Sequence, residues 1–343
     1  MSLSEKIKIW RKDLKYFTRA MIVIVWMALC ENTLAVAKEC SPSGNFLRPV
    51  PVAQAHEITI ASQNLEQLFD DVKNGPAKVV NSQTYQWRLK KFADQLVTNL
   101  REPDVIAVQE AENADVLQAL SRVMTQRGGK KSYQVLHYKG ADSGGHHLGY
   151  LIRADWKVLT KEPLLANKRI NNRAELFDRP SLRVRVRTKE GAVFDIVNVH
   201  LKSLYGANNP KKARKIAQKR EQQAQELSTW LRARLQRSNE PPLIVLGDFN
   251  ATPEVIGGVD VLQYMQKTGL KWALDKLPPE ERYSFVFRCE PEALDHAYYS
   301  AGVKLVSVAF SRGNAGLPKH YAEQYADARL SSDHDGLVLY IAP

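Results

Sequence analysis

The sequence predicts an α/β fold in which two β-sheets pack face to face with helices outside. Short β-rich apolar runs recur along the chain, and four of them, Val105–Glu110, Phe194–Ser203, Leu243–Asn250 and Ser332–Leu339, carry a polar cluster at one end. Segments with apolar residues at helical spacing alternate with these runs. The chain has 343 residues, 44% of them hydrophobic, enough for a sizeable core. Strands that feed two sheets, with helices between them, pack as layers around that core.

The elements follow in order. Residues 1–37 read as a secretory signal peptide: a basic segment at Lys6–Arg19, an apolar segment at Ala20–Cys30, and a small-x-small site at Ala35–Ala37 before Lys38. The apolar run is short for a membrane span. Membrane contact is therefore expected only through an uncleaved signal, and the mature protein is expected to be secreted or periplasmic. Residues 38–56 contain Pro and Ser without periodicity and read as a linker. From 57 onwards the chain reads as one domain reaching residue 343.

Within that domain, Ile58–Ser62 reads as a strand and Tyr85–Arg101 as an amphipathic helix through Leu89, Phe92, Leu96 and Leu100, stopped by Pro103. Val105–Val108 reads as a strand and Asp115–Val123 as a helix. Tyr133–Tyr138, Leu148–Ile152, Leu182–Arg187 and Val193–Val199 read as strands. Asn209–Gln236 is a long helix with Pro210 in its first turn. Leu243–Leu246, Asp295–Tyr299, Val303–Phe310 and Leu337–Ile341 complete the strands.

The net charge of +12 is strongly basic. Residues 1–37 hold six basic and three acidic residues, so +9 remains without them. Such a surface favours polyanions, nucleic acid or anionic membrane. Of the three cysteines, Cys30 falls in the signal, leaving Cys40 and Cys289 as candidates for one disulfide in an oxidising compartment.

The polar clusters gather Glu110, His200, Asp248, Asn250, Asp333 and His334 at the ends of apolar runs. Carboxylates suit a hard divalent cation, and imidazoles suit proton transfer. Each cluster alone also fits an ordinary reading. Glu110 fits a solvated loop or helix cap, Gly247–Asn250 an Asx turn, and His200 a hydrogen-bonded structural histidine.

Read together, the segments SQNLE, VIAVQE, NVHLKS, GDFN, LDHAY and SDHDGL, in that order from residue 62 to 337, resemble the endonuclease/exonuclease/phosphatase superfamily, of the deoxyribonuclease-I-like fold and the secreted bacterial nuclease type. The resemblance spans about Glu57 to Ile341. It implies a four-layer α/β/β/α sandwich of two mainly antiparallel sheets, with the site at one edge. It implies a metal held by Asn64, Glu110 and Asp333, a catalytic set of His200, Asp248, Asn250, Asp295 and His334, and Mg2+, or Mn2+ or Ca2+, as cofactor. His334, oriented by Asp295, would activate water, and His200 and Asn250 would contact the phosphate. The final motif departs from the pattern, with Gly336 where Pro often stands.

Superfamily members cut DNA, RNA, phosphoinositides and sphingomyelin, so the fold leaves the substrate open. The basic charge, the run Lys202, Lys211, Lys212, Arg214, Lys215, Lys219 and Arg220, and an Arg-Pro element at Arg179 favour nucleic acid, DNA before RNA, with Arg179 and Lys202 as substrate contacts. The basic run also reads as a solvated helix face. A sphingomyelinase-like phospholipid phosphodiesterase and a non-catalytic binding protein are the other readings, and no stable protein partner is implied. His146 and His147 read as loop residues without a required role.

Overall fold

The computed structural model describes residues 46–171, 173–253 and 259–343. The predicted signal, Cys30 and Cys40 lie outside them; Cys289 is disulfide-bonded. No helix among the described residues is long and apolar enough to cross a membrane.

The first strands are β1 (Ile58–Leu68), β2 (Val105–Ala111), β3 (Tyr133–Tyr138), β4 (His147–Arg153) and β5 (Lys157–Leu164). A two-residue pair, β6 (Arg169–Ile170) and β7 (Ala174–Glu175), precedes β8 (Ser181–Arg187), β9 (Val193–His200) and β10 (Leu243–Asp248). Then come β11 (Lys271–Trp272), the hairpin β12 (Phe285–Phe287) and β13 (Glu290–Glu292), β14 (Asp295–Tyr299), β15 (Leu305–Phe310) and β16 (Leu337–Ile341). The helices are α1 (Ser82–Asp94), α2 (Ala114–Gln126), α3 (Pro210–Leu235) and α4 (Val261–Gln266).

One sheet has the order β15-β16-β1-β2-β4-β3 and the other β11-β14-β10-β9-β8-β5. Each contains one parallel pair, β1 with β2 and β9 with β10, among antiparallel neighbours. Parallel neighbours need a crossover, and α1 and α3 supply it. Both crossovers bring the carboxyl ends of their two strands to one edge, where open α/β sheets collect ligand-binding side chains.

Three apolar clusters define the layers. Ile60, Tyr150, Val184, Ile196, Leu246 and Leu339 lie between the sheets. Leu89, Phe92, Leu117 and Leu120 pack α1 and α2 on one outer face, and Leu227 and Leu231 pack α3 on the other. The four-layer sandwich of the sequence reading stands. Truncating one of these fully buried leucines costs about 2–5 kcal/mol.

Several bounds move for physical reasons. Helix α1 starts at Ser82 because Asn81 caps it, accepting from Thr84 N–H, and its regular turns end at Asp94 before a wider π turn over Gln95–Asn99. Strand β1 runs to Leu68 instead of Ser62, because the polar stretch SQNLE stays in the ladder with β2. Strand β5 has no counterpart in the sequence reading: it is an edge strand with mostly exposed side chains and no apolar alternation. The supposed linker is irregular but tied down from Arg48 onward. Val50 is buried and donates to Asn99 O, and Arg48 pairs with Glu281.

Candidate active site

Two adjacent strands kink at the shared edge. β1 carries a register shift between Asn64 and Leu68, with Glu66 and Gln67 left-handed at φ 41° and 58°. β2 carries one between Gln109 and Ala111, with Glu110 at φ 61°. Such bulges re-aim side chains and concentrate at functional sites. The bulge of β1 leaves carbonyls without ladder partners. Arg88 of α1 takes them, donating to the carbonyls of Leu65, Glu66 and Gln67 at 3.1, 2.6 and 2.8 Å.

The re-aimed Glu110 accepts from Gln67 N–H at 2.9 Å, and Asn64 Nδ2 lies 3.5 Å from its other oxygen. Asn64 also donates to Asp248 Oδ2 at 3.1 Å, across the gap between the sheets. Asp248 is the last residue of β10. Its partner in the parallel ladder is His200, the last residue of β9. Preceding it, Gly247 has φ 141°, and a Cβ there would lie 2.1 Å from Val199 O, so only glycine fits this close approach. The Gly-Asp pair therefore belongs to a strand and not to a turn. Phe249 and Asn250 lie beyond it, Asn250 left-handed at φ 50° with its N–H bound to Asp248 Oδ1 at 2.8 Å.

His200 is buried, its Nε2 3.4 Å from Asp248 and 3.9 Å from Glu110, while among the described residues its Nδ1 has no hydrogen-bond partner. Burial pushes this imidazole well below the ordinary value, and Arg179, His146, His334 and Lys202 push the same way. His200 is thus neutral at pH 7.

His334 and Asp295 form the second half of the site. Nδ1 of His334 lies 2.6 Å from Asp295 Oδ2. Burial opposes the charged imidazole, but Asp295, Asp248 and Asp333 overcome it and hold the His334 pKa well above the ordinary value. Ser332 Oγ donates to Asn64 O and accepts from His334 N–H, and Phe285 of the hairpin lies against the ring, centroids 5.2 Å apart. Ser284 Oγ accepts from Asp295 N–H at 3.0 Å. Asp248, between these groups, is pushed up to about 7 by burial, Asp295 and Glu110.

The sequence-predicted residues meet unequally. Asn64, Glu110, His200 and Asp248 are in contact, with Asp295 and His334 beside them. Asn250 points its Nδ2 to Leu201 O at 3.2 Å. Asp333 faces Lys319 at 3.6 Å, which also pairs with Glu66. Arg179 donates to Leu201 O at 3.1 Å and lies 3.9 Å from Asp142. The half-buried Lys202 is lowered from its usual value by burial and by Arg179.

Two members of the predicted basic surface are elsewhere. Arg220 is buried and donates to the carbonyls of Lys202 and Asn250, tying together the segments after β9 and β10. Lys219 pairs with Asp178 at 2.6 Å. The reason is orientation: Arg220 sits on the apolar side of α3 with Ile216, Gln223, Ala224 and Leu227. Lys211, Lys212, Arg214 and Lys215 remain exposed. Gly336 is no loosened version of a proline. Its N–H donates to Ser311 Oγ, and a Cβ would lie 2.6 Å from Gln63 Oε1.

Among the described residues, no group of three or more His, Cys, Asp or Glu side chains is arranged to hold a metal ion by itself. The donor set nevertheless fits Mg2+ or Mn2+. Mg2+ keeps several waters and is bound through one or two carboxylates plus substrate phosphate. Glu110 supplies one such carboxylate, and the raised Asp248 marks excess negative charge that a cation would relieve.

Sequence reading missed Arg88, Ser284, Ser332 and the amide bridge beneath the site, in which Gln109 Nε2 donates to Asn198 Oδ1 at 2.7 Å. Ser332 and Gln109 lie within the quoted segments SDHDGL and VIAVQE, and Arg88 is a cation one position before Leu89 on the same helical side as Tyr85 and Phe92.

Residues 59–302 match the model of the Endonuclease/Exonuclease/phosphatase family. The chain is similar in structure to a humanized D. rerio TDP2 carrying 14 mutations, at 18% identity over 84% of this chain and 100% of that one, with a TM-score of 0.56. It is similar to the human nocturnin catalytic domain with bound sulfate anion, at 19% identity over 84% and 96%, with a TM-score of 0.56. It is also similar to D. rerio TDP2 complexed with single strand DNA product, at 18% identity over 84% and 99%, with a TM-score of 0.54. At these identities the likeness is one of fold. No curated protein matches the sequence.

Proposed function

Because the chain belongs to the endonuclease/exonuclease/phosphatase family and is a phosphodiester hydrolase, we propose that it is an exported, divalent-metal-dependent nuclease that cuts nucleic acid, DNA before RNA. The observation that carries this reading is the meeting of Glu110, Asn64, Asp248 and His200 with the His334–Asp295 pair at one sheet edge.

In this reading Asp295 accepts from Nδ1–H of His334, fixing the tautomer that leaves Nε2 to take a proton from water. The water oxygen attacks phosphorus in line, a new P–O bond forms, and the opposite P–O bond breaks with its electron pair on the leaving oxygen. His200, neutral and set between Asp248 and Glu110, donates a hydrogen bond to the phosphate. Asn250 contributes a second polar contact, and Arg220 fixes its backbone. A bound Mg2+ or Mn2+ on Glu110, with Asn64 and Asp333 beside it, would neutralise charge on the phosphate oxygens.

Three features support nucleic acid as substrate. Residues 38–343 keep a charge of +9. Arg179 donates to the carbonyl of Leu201, between His200 and Lys202, and the lysines at the start of α3 are exposed. A structural neighbour is recorded with a single strand DNA product. Export rests on the leader pattern in residues 1–37, and the catalytic domain is assigned to 57–343.

The test incubates the purified protein with plasmid DNA, RNA and sphingomyelin, each with Mg2+ and with EDTA. Expected is loss of supercoiled DNA that EDTA abolishes. Phosphocholine release with intact nucleic acid would overturn the nuclease reading and keep the site. No turnover of any substrate would favour a binding protein.

A further inference from the structure

Next to the His334–Asp295 pair lies a charged cluster that the proposed chemistry does not use. At its centre is Arg312, just past β15 and only 1% exposed. Its Nη1 donates to Tyr283 O at 2.8 Å and to Asp335 Oδ2 at 3.0 Å. Its Nη2 donates to Glu281 O at 2.8 Å and to Glu281 Oε2 at 2.9 Å. The guanidinium lies 3.7 Å from the centroid of the Tyr283 ring. Arg48 completes the cluster. It exchanges backbone hydrogen bonds with Arg312 at 3.1 and 2.9 Å, and its guanidinium pairs with Glu281.

Two of the residues that this guanidinium holds are neighbours of site residues. Asp335 follows His334 in the chain. Tyr283 precedes Ser284, whose Oγ accepts from Asp295 N–H, and Phe285, whose ring lies against that of His334. The two sides also meet directly, because Asp335 N–H donates to Ser284 O at 2.8 Å. The second oxygen of Asp335 accepts from the N–H groups of Asn314 and Ala315 at 3.0 and 3.2 Å. A carboxylate and a guanidinium this deeply buried each need the other in place, since either one alone is strongly destabilising. The planar fork directs its N–H groups to Tyr283, Asp335 and Glu281 together, and a lysine ammonium does not reproduce those fixed directions.

We propose that Arg312 is a positioning residue for the reaction: by holding Asp335 and Tyr283 it sets the distance and angle between His334 and Asp295. It touches no substrate and acts through the base. Without the fork, the segment before β16 and the hairpin β12–β13 shift against each other, and the imidazole meets the attacking water in fewer productive geometries. The inference rests on the reading of His334 as the base, and so on the proposed function.

The test measures kcat and KM of the full-length protein, its Arg312→Lys and His334→Ala variants and the double variant. The substrates are supercoiled plasmid and bis(p-nitrophenyl) phosphate, each with Mg2+, and rates are divided by the folded fraction from urea unfolding. Arg312→Lys keeps the buried charge. It is expected to lower kcat about 10–100-fold on both substrates with KM unchanged, as a misplaced catalytic group does. In the His334→Ala background the same change is expected to have no further effect, because the group through which Arg312 acts is gone. An unchanged kcat per folded molecule, or an equal loss in both backgrounds, would overturn the positioning role and leave the nuclease reading standing. Asp335→Asn breaks the same contact from its other side and replaces the lysine variant if that one does not fold. If neither folds, Arg312 serves the fold alone and the proposal falls. Turnover of the small diester by wild type with no cleavage of nucleic acid would overturn the nuclease reading and leave Arg312 its role.

Discussion

Strand β2 begins after Asp104 and ends near Glu110, while β9 carries Asp195 near its start and His200 at its end. The two ends of these strands treat charge in opposite ways. At the far end, Asp104 accepts from Lys131 and Arg153, and Asp195 accepts from Arg185 and Arg234. Burial opposes both carboxylates, yet these cations hold each below its usual range. At the site end, Asp248 is as buried, but the only ion-pair contact recorded for it among the described residues is His200 at 3.4 Å, and it is pushed up. Charge is neutralised where the fold needs holding and left uncompensated where a phosphate and its metal would arrive. The backbone does not share this division: left-handed residues stand at the site end, Glu66, Gln67, Glu110 and Asn250, and also at the far end, Arg101, Glu102 and Asn239.

The contrast breaks most visibly if the base is removed. His334→Ala is expected to lower kcat by about 10²–10⁴-fold, with an unchanged far-ultraviolet circular dichroism spectrum. Near-normal turnover would sink the assignment. Asp195→Asn attacks the other end. It removes the carboxylate that Arg185 and the buried Arg234 share, leaving both on Glu240, and is expected to cost about 3 kcal/mol in urea unfolding, with turnover per folded molecule preserved. A loss confined to activity would contradict the division.

pH separates the ends without mutation. His334 must be neutral to accept a proton, and its pKa is raised, so kcat is expected to climb with pH along a limb above the ordinary imidazole value. Asp295→Asn should move that limb to lower pH. The Asp104 and Asp195 values are depressed. Their stability is therefore present above the unfolded carboxylate pKa, about 3.9, and lost as pH falls through the folded values. Activity should thus fail on acidification well before the fold does. The smallest change in stability sharpens the comparison: Asp248→Asn removes a carboxylate that burial disfavours. It is expected to abolish cleavage and to stabilise the protein by about 0.5–2 kcal/mol, read as a raised Tm.

Much of this was legible in the sequence because strand interiors are apolar and their ends are not. Glu110, His200 and Asp248 each stand where such a run stops, and strand pairing brings those ends together. Strand length was under-read at these same places, since the polar residues remain in the ladder. The long charged side chains were the least legible. Arg88 and Arg220 sit among the apolar residues of their helices, and spacing alone does not say that a guanidinium there bends back to backbone carbonyls. His146 stands just before the apolar run Leu148–Ile152, but its partner Asp142 lies four residues away in a glycine-containing turn.

Beneath the site, Gln109 and Asn198 join the two sheets, and Asn198 also donates to Val108 O and Gly149 O at 2.9 and 3.0 Å. Apolar contact between sheets is non-directional and permits them to slide. Fully bonded amides in a dry interior do not. Gln109 precedes Glu110 directly, and Asn198 lies two residues before His200. The bridge therefore acts as a dowel between two plates, and the width of the cleft above it is a fixed gauge against which substrates are measured.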